Sequence, residues 1–115
     1  MSYNAIVEKS KAFAFRIVKM HQFLNDTKRE YTLSRQALRS GTSIGANVKE
    51  AVHGQTKPDF YHKMNIALKE AAETEYWLEL LYETGYIDKI QFNSIYRDCQ
   101  ELIKILVSIT KSQHE

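Results

Sequence analysis

The sequence has little that would interrupt a helix: one proline, Pro58, and four glycines in 115 residues. A single cysteine, Cys99, excludes an intramolecular disulfide. There is no apolar run long enough to span a bilayer and no pattern of a signal peptide, so the expectation is a soluble protein of a reducing compartment, the cytoplasm. The four histidines, His21, His53, His62 and His114, lie far apart and lack the H-x-x-x-H spacing that puts two imidazoles on one helical face. An E-x-x-H pair on each of two helices, the di-iron signature of bundles, is also missing. No metal and no cofactor are expected.

Hydrophobic residues make up 43% of the chain and charged residues 26%, the balance of a globular protein and too apolar for a disordered one. A compact chain of this size hides roughly two thirds of its surface, so residues 1–115 are expected to form a single domain around one core. The net charge of +2 conceals a division. Before residue 70 there are twelve Lys and Arg against five Asp and Glu; from residue 70 onward there are four against nine. Such segregation can steer head-to-tail contact between copies or leave a basic surface for an anionic partner, unless these are ordinary solvated faces.

The apolar residues recur at helical spacing, three and four apart. Ile6, Phe13, Ile17, Met20 and Leu24 line one side of a first helix, from about residue 5 to 25. Leu33, Ala37, Ile44, Val48 and Ala51 line a second, with Gly54 placed to end it in a left-handed cap. Thr56 and Asp59 bracket Pro58 as a capping pair for a third helix, whose inner side is Tyr61, Met64, Leu68, Ala71, Leu78 and Tyr82 and which Gly85 closes. Asp88 with Gln91 opens a fourth, lined by Phe92, Ile95, Cys99, Leu102, Leu106 and Ile109. Short connections force neighbours antiparallel, so the predicted fold is all-α, an antiparallel up-and-down four-helix bundle.

Two sets of apolar residues fall outside these stripes: Val7, Ala14 and Val18 on the first helix, and Ile66, Trp77 and Leu80 on the third. An exposed tryptophan beside aliphatic residues is unusual on a monomer, and such anchors occupy interface centres. These six are read as subunit contacts; a helix phase shifted by a residue or two would place them in the core instead.

Gly41-Thr42-Ser43-Ile44-Gly45 matches G-x-S-x-G, the nucleophile elbow of serine hydrolases. That elbow needs a strand before the serine and a parallel sheet beneath it. Here the segment lies inside a helical pattern of a chain too short for that fold, so Ser43 is not expected to be catalytic and no enzyme is expected. The two glycines, one turn apart, instead let another helix approach closely. Glu75 falls between Ala71 and Leu78 in the third inner stripe, where a carboxylate needs a partner; Arg39 and Arg16 are candidates, with Asn47 and Ser43 as neutral alternatives. Arg97, Lys104 and Lys111 repeat every seven residues on the fourth helix, and Lys9 and Arg16 do so on the first. These five can contact phosphates, although lysine-rich outer faces also simply keep helices soluble.

Residues Leu38-Arg39-Ser40-Gly41-Thr42-Ser43-Ile44-Gly45-Ala46-Asn47-Val48-Lys49-Glu50-Ala51 closely resemble the signature of the bacterial four-helix-bundle family encoded in intervening sequences of 23S ribosomal RNA genes. Lys57-Pro58-Asp59-Phe60, Glu73-Thr74-Glu75 and Thr84-Gly85-Tyr86-Ile87 match as well, and the resemblance runs from about Asn4 to Lys111. The departure is Ala51, where many members have glycine. The resemblance implies an up-and-down bundle assembled as a ring-shaped homopentamer, similar to the accessory protein of diversity-generating retroelements, which associates with reverse transcriptase and nucleic acid. It implies no biochemical activity, and the ribosomal label records where the genes lie. The leading expectation is therefore an oligomeric scaffold binding RNA or DNA through basic faces, and the alternative a protein–protein adaptor.

Overall fold

The computed structural model describes residues 3–114. Four helices follow one another: α1, Asn4–Asp26; α2, Thr32–Val52; α3, Lys57–Glu83; and α4, Lys89–Lys111, trailed by a 3₁₀ turn at Ser112–His114. The described residues contain no strand. The helices pack in sequence around the bundle and α1 closes on α4, which is the predicted up-and-down architecture. Helix length sets the shape, 44 × 20 × 19 Å, since 27-residue α3 alone spans about 40 Å at 1.5 Å per residue. No helix among the described residues is long and apolar enough to cross a membrane.

The bundle is held by one long core and a smaller one at an end. Ile6, Phe13 and Ile17 of α1, Ile44 and Val48 of α2, Met64, Ala71 and Leu78 of α3, and Ile95, Cys99, Leu102 and Leu106 of α4 make the long one. Leu24, Ala37, Leu81 and Ile87 make the smaller, where the α1–α2 and α3–α4 connections meet.

Among the inner faces, that of α2 is unusual in its small residues: Ser34, Ala37, Ser40, Gly41, Ile44, Val48 and Ala51. A Cβ placed on Gly41 would lie 2.8 Å from Ile17 Cγ1, and one on Gly45 would lie 3.3 Å from the Ser10 carbonyl oxygen. The glycines are therefore the ground on which α1 rests, as their spacing predicts. On the other side of α2 the buried Ser40 and Thr74 hydroxyls share a hydrogen bond of 2.8 Å.

The connections explain where the helices stop. Glu30, only 7% exposed, caps α2 with its side chain, accepting from the backbone N–H groups of Thr32, Leu33 and Ser34 at 3.1, 3.0 and 2.9 Å. A carboxylate among the free N–H groups of a helix start is well placed electrostatically. Arg29 takes a left-handed backbone (φ 56°), which turns the chain so that the Glu30 N–H reaches the Leu24 carbonyl at 3.0 Å. At α3 the Thr56 hydroxyl accepts from the Asp59 N–H (3.2 Å), and at α4 Asp88 and Gln91 form the reciprocal box at 2.7 and 2.9 Å. Gly85 closes α3 with φ 86°, where a side chain would be strained.

Two expectations about this backbone are corrected. α2 ends at Val52, and Gly54 does not adopt the left-handed cap; its N–H reaches Ala51 O at 3.0 Å in an ordinary turn. The inner stripe of α3 passes through Thr74, not Glu75, because the buried series Ala67, Ala71, Thr74, Leu78, Leu81 alternates four and three and leaves Glu75 on the flank.

The Gly41 contact gives a direct test of the α1–α2 packing. Alanine improves helix propensity by about 1 kcal/mol, but its Cβ must displace a β-branched, fully buried Ile17. Gly41→Ala is expected to lower stability by about 1–2 kcal/mol net, seen as a lower urea midpoint with an unchanged slope. An unchanged or higher midpoint would mean that the two helices separate freely.

Candidate nucleic-acid interface

Charge follows the folded arrangement more informatively than it follows chain position. α1 and α4 together carry eight Lys and Arg against four Asp and Glu, whereas α3 carries three against six. Neighbouring in the bundle, α1 and α4 make a positive edge, and α3 makes an acidic one.

Of the five basic residues singled out on this edge, two are engaged. Arg16 Nη1 donates to Asp98 Oδ2 at 2.6 Å and to the Ser94 carbonyl at 3.3 Å, while Nη2 donates to Ser94 Oγ at 2.9 Å. Lys9 Nζ lies 3.1 Å from Glu101 Oε1. These pairs tie α1 to α4, and being substantially solvated they hold their partners loosely, at about 0–1 kcal/mol each. Arg97, Lys104 and Lys111 are exposed and make no ion pair with any described residue.

A groove of about 470 Å³ opens in the α1–α4 seam, the least tightly packed junction between neighbouring helices, toward the N-terminal end of α4. Phe15, Arg16, Lys19, Met20 and Phe23 of α1 form one wall, and Ile87, Gln91 and Ile95 form the other. Phe15 is 66% exposed, with Lys19 Nζ 5.6 Å from its ring centre, and Lys28 Nζ sits 5.9 Å from the ring of Phe23. Sequence reasoning missed this groove. Its signal was present in Phe15, Lys19 and Phe23, which recur every four residues along one side of α1.

The six residues read as subunit contacts divide. Val7 and Val18 are each 37% exposed, and Val7 and Ala14 line a second groove, about 370 Å³, against Thr42, Gly45, Ala46 and Lys49 of α2. Ile66, Trp77 and Leu80 are half-buried. The expectation of an exposed tryptophan is corrected: Trp77 packs on the Leu24, Ala37, Leu81 and Ile87 cluster, and its indole N–H donates to Glu73 at 2.8 Å. A ring this large reaches the core from a position outside the inner stripe.

The motif residues also resolve. Ser43 is in the middle of α2, where Asn47 Nδ2 donates to its carbonyl at 2.9 Å and to its hydroxyl at 3.0 Å; the pentapeptide is continuous helix, without the strand an elbow requires. Arg39 pairs with Glu70 (3.4 Å) and with Glu73. It does not reach Glu75, and neither does Arg16, because Glu75 faces α4. Burial and the charge of Glu79 raise the Glu75 carboxyl above its ordinary value, countered by hydrogen bonds to Gln100 and Tyr96. The Tyr96 hydroxyl donates to Glu79 Oε2 at 2.6 Å, and that bond raises the phenol in turn. Burial pushes the Cys99 thiol up to about 12, with its Sγ directed at the Ala71 carbonyl, so it carries no thiolate at neutral pH. No group of three His, Cys, Asp or Glu suited to a metal occurs among the described residues.

A carboxyl that titrates higher in the folded chain than in the unfolded one favours folding most below its ordinary value of 4.5, and that contribution is lost as pH rises through the raised value. Glu75→Gln stays neutral throughout. It is expected to exceed the wild type in stability at pH 7, by under about 1 kcal/mol because the site is partly solvated, and to match it near pH 4. Paired urea titrations at the two pH values check the sign.

Comparison with known proteins adds to this geometry. The sequence matches the family model for the 23S rRNA-intervening sequence protein over residues 3–108. A solved protein of unknown function from the S23 ribosomal protein family, from Bacteroides thetaiotaomicron, is 54% identical and superposes with a TM-score of 0.91, covering 92% of this chain and 98% of its own. No curated protein is significantly similar. With the match spanning nearly all of the four helices, the chain belongs to the 23S rRNA-intervening sequence protein family.

Proposed function

We propose that this protein is a non-enzymatic, self-associating scaffold that binds RNA or DNA through its α1–α4 edge. The observation that carries the reading is that α4, which packs beside α1, leaves Arg97, Lys104 and Lys111 exposed and without an ion pair among the described residues, while the acidic side chains Glu70 and Glu73 of α3 are held by Arg39. Cations free of partners are available to release counterions from a phosphate backbone. Lys9 and Arg16 join them by exchanging a solvated carboxylate for a phosphate, a small loss.

Self-association multiplies a weak patch by raising its effective concentration, and five copies in a ring, as the family resemblance implies, would repeat it five times. The exposed Val7 and Val18 beside the small-residue groove of α1 and α2 supply an apolar contact for it. The reading belongs to the cytoplasm, where a lone buried thiol needs no disulfide partner.

Arg97, Lys104 and Lys111 replaced together by glutamine are expected to weaken binding to structured RNA or duplex DNA and to flatten the slope of log K against log salt by roughly two to three. Adding Lys9→Gln and Arg16→Gln should weaken it further, since Asp98 and Glu101 would then face the phosphates unpaired. Sequence preference should not change, because backbone contacts position a nucleic acid without reading it. Filter binding across a salt series checks this; a wild type that binds nothing at low salt leaves the protein–protein adaptor as the surviving reading.

For assembly, Val18→Glu puts a charge into the proposed contact without touching the core. Light scattering should show a particle of lower mass than the wild type while helical circular dichroism is unchanged. A wild type already monomeric at micromolar concentration would falsify the self-association.

A further inference from the structure

We propose that the Phe15–Phe23 groove accepts an unpaired nucleobase of the bound strand, so that the protein favours single-stranded nucleic acid, or a loop or bulge, over a perfect duplex. This rests on the nucleic-acid reading above and assigns the groove a ligand.

The chemistry of the groove is that of a base-stacking site. Its lining is apolar at Met20, Ile87 and Ile95, and two aromatic rings stand on its α1 wall, eight residues and about 12 Å apart along the helix axis. Phe15 is 66% exposed, a large apolar face left in water on a chain that otherwise buries its phenylalanines at least in part. No carboxylate lines the groove; the charged residues that do are Arg16 and Lys19, and Lys28 stands over Phe23. An anionic, ring-bearing ligand complements that combination, because the rings take its flat face and the cations take its phosphates.

The lysines now resting on the two rings do not block this use. At an exposed site a cation–π contact is weaker than base–aromatic stacking, so a base can displace the ammonium group. The freed ammonium remains within a side chain's length of the ring, where the strand's phosphate lies. Gln91 adds a polar edge: its Oε1 accepts from the Asp88 N–H, which leaves its amide NH₂ as a donor for a base. Along its length a duplex offers no free base face, since its bases are stacked on one another and only their edges and the phosphates are exposed. The groove lies in the seam that Arg16 spans, so a strand that engages Arg16 and Lys19 meets its mouth.

The test uses a single-stranded oligonucleotide carrying 2-aminopurine, whose emission falls when it stacks on an aromatic ring, and a blunt duplex of equal length. Wild-type protein is expected to bind the single strand more tightly and to quench its emission. Phe15→Ala should weaken single-strand binding roughly tenfold, abolish the quenching and leave duplex binding unchanged, while Phe15→Tyr keeps both. Phe15 makes no core contact that alanine would empty, and circular dichroism checks that the helices persist. If Phe15→Ala binds the single strand as wild type does, with the same quenching, the groove assignment fails and the basic edge stands. A Phe15→Ala particle of altered mass would make the groove a contact between copies and overturn the assignment in a different way. Wild-type protein that binds neither oligonucleotide at low salt removes the nucleic-acid reading itself.

Discussion

The structure depends first on how closely α2 lies to its neighbours. Gly41 meets Ile17 of α1, Gly45 meets the α1 backbone at Ser10, and Ser40 meets Thr74 of α3, so three helices approach over small residues. α4 contributes larger inner side chains, Ile95, Leu102 and Leu106. It packs well on α3 and stands further from α1. The open α1–α4 seam is thus the other side of the tight α1–α2 contact: a bundle with one narrow edge and round helices has one wide edge.

Polar and charged side chains bridge the wide edge beside its apolar groove, and this gives the face its chemistry. Arg16 and Lys9 span it to Asp98 and Glu101, closing the bundle with pairs that are individually weak. Because they are solvated, they leave the edge free to exchange partners, which a buried pair could not do without stranding a charge. The acidic α3 is handled differently. Glu70 and Glu73 are held by Arg39, Glu73 also accepts the Trp77 indole, and Glu79 accepts Tyr96, so its carboxylates serve the fold. Surplus positive charge is left on the other three helices, α1 and α4 among them.

The polar groups at the helix ends are similarly committed. His21, Asn25 and Ser34 are linked by hydrogen bonds of 3.0–3.3 Å, and Glu30 beside them satisfies three N–H groups of α2. No buried side-chain nitrogen or oxygen in the described residues lacks a partner. The buried side-chain polar groups of the described residues are thus committed to the fold.

Helix number and order, the Asp88–Gln91 box, the Gly85 stop and the close approach at Gly41 and Gly45 were legible in the sequence, because each rests on local spacing or on a residue's own backbone preference. Helix phase was legible only to within one position. That margin set Thr74 against Glu75 as the buried residue and hid the half-buried packing of Trp77, since a stripe of apolar residues does not say which neighbour it faces. The Glu30 cap escaped because the N-cap position itself is Tyr31, whose side chain makes no cap, and the capping carboxylate stands one residue before it. By itself the sequence determined a four-helix bundle with excess positive charge in its first part. Only the tertiary structure decided that α4, from the acidic part, lies against α1, pairing Lys9 and Arg16, leaving Arg97, Lys104 and Lys111 free and opening the Phe15–Phe23 groove. The reason is physical: local spacing places side chains around one helix, while the charge and shape of a surface depend on which helices meet.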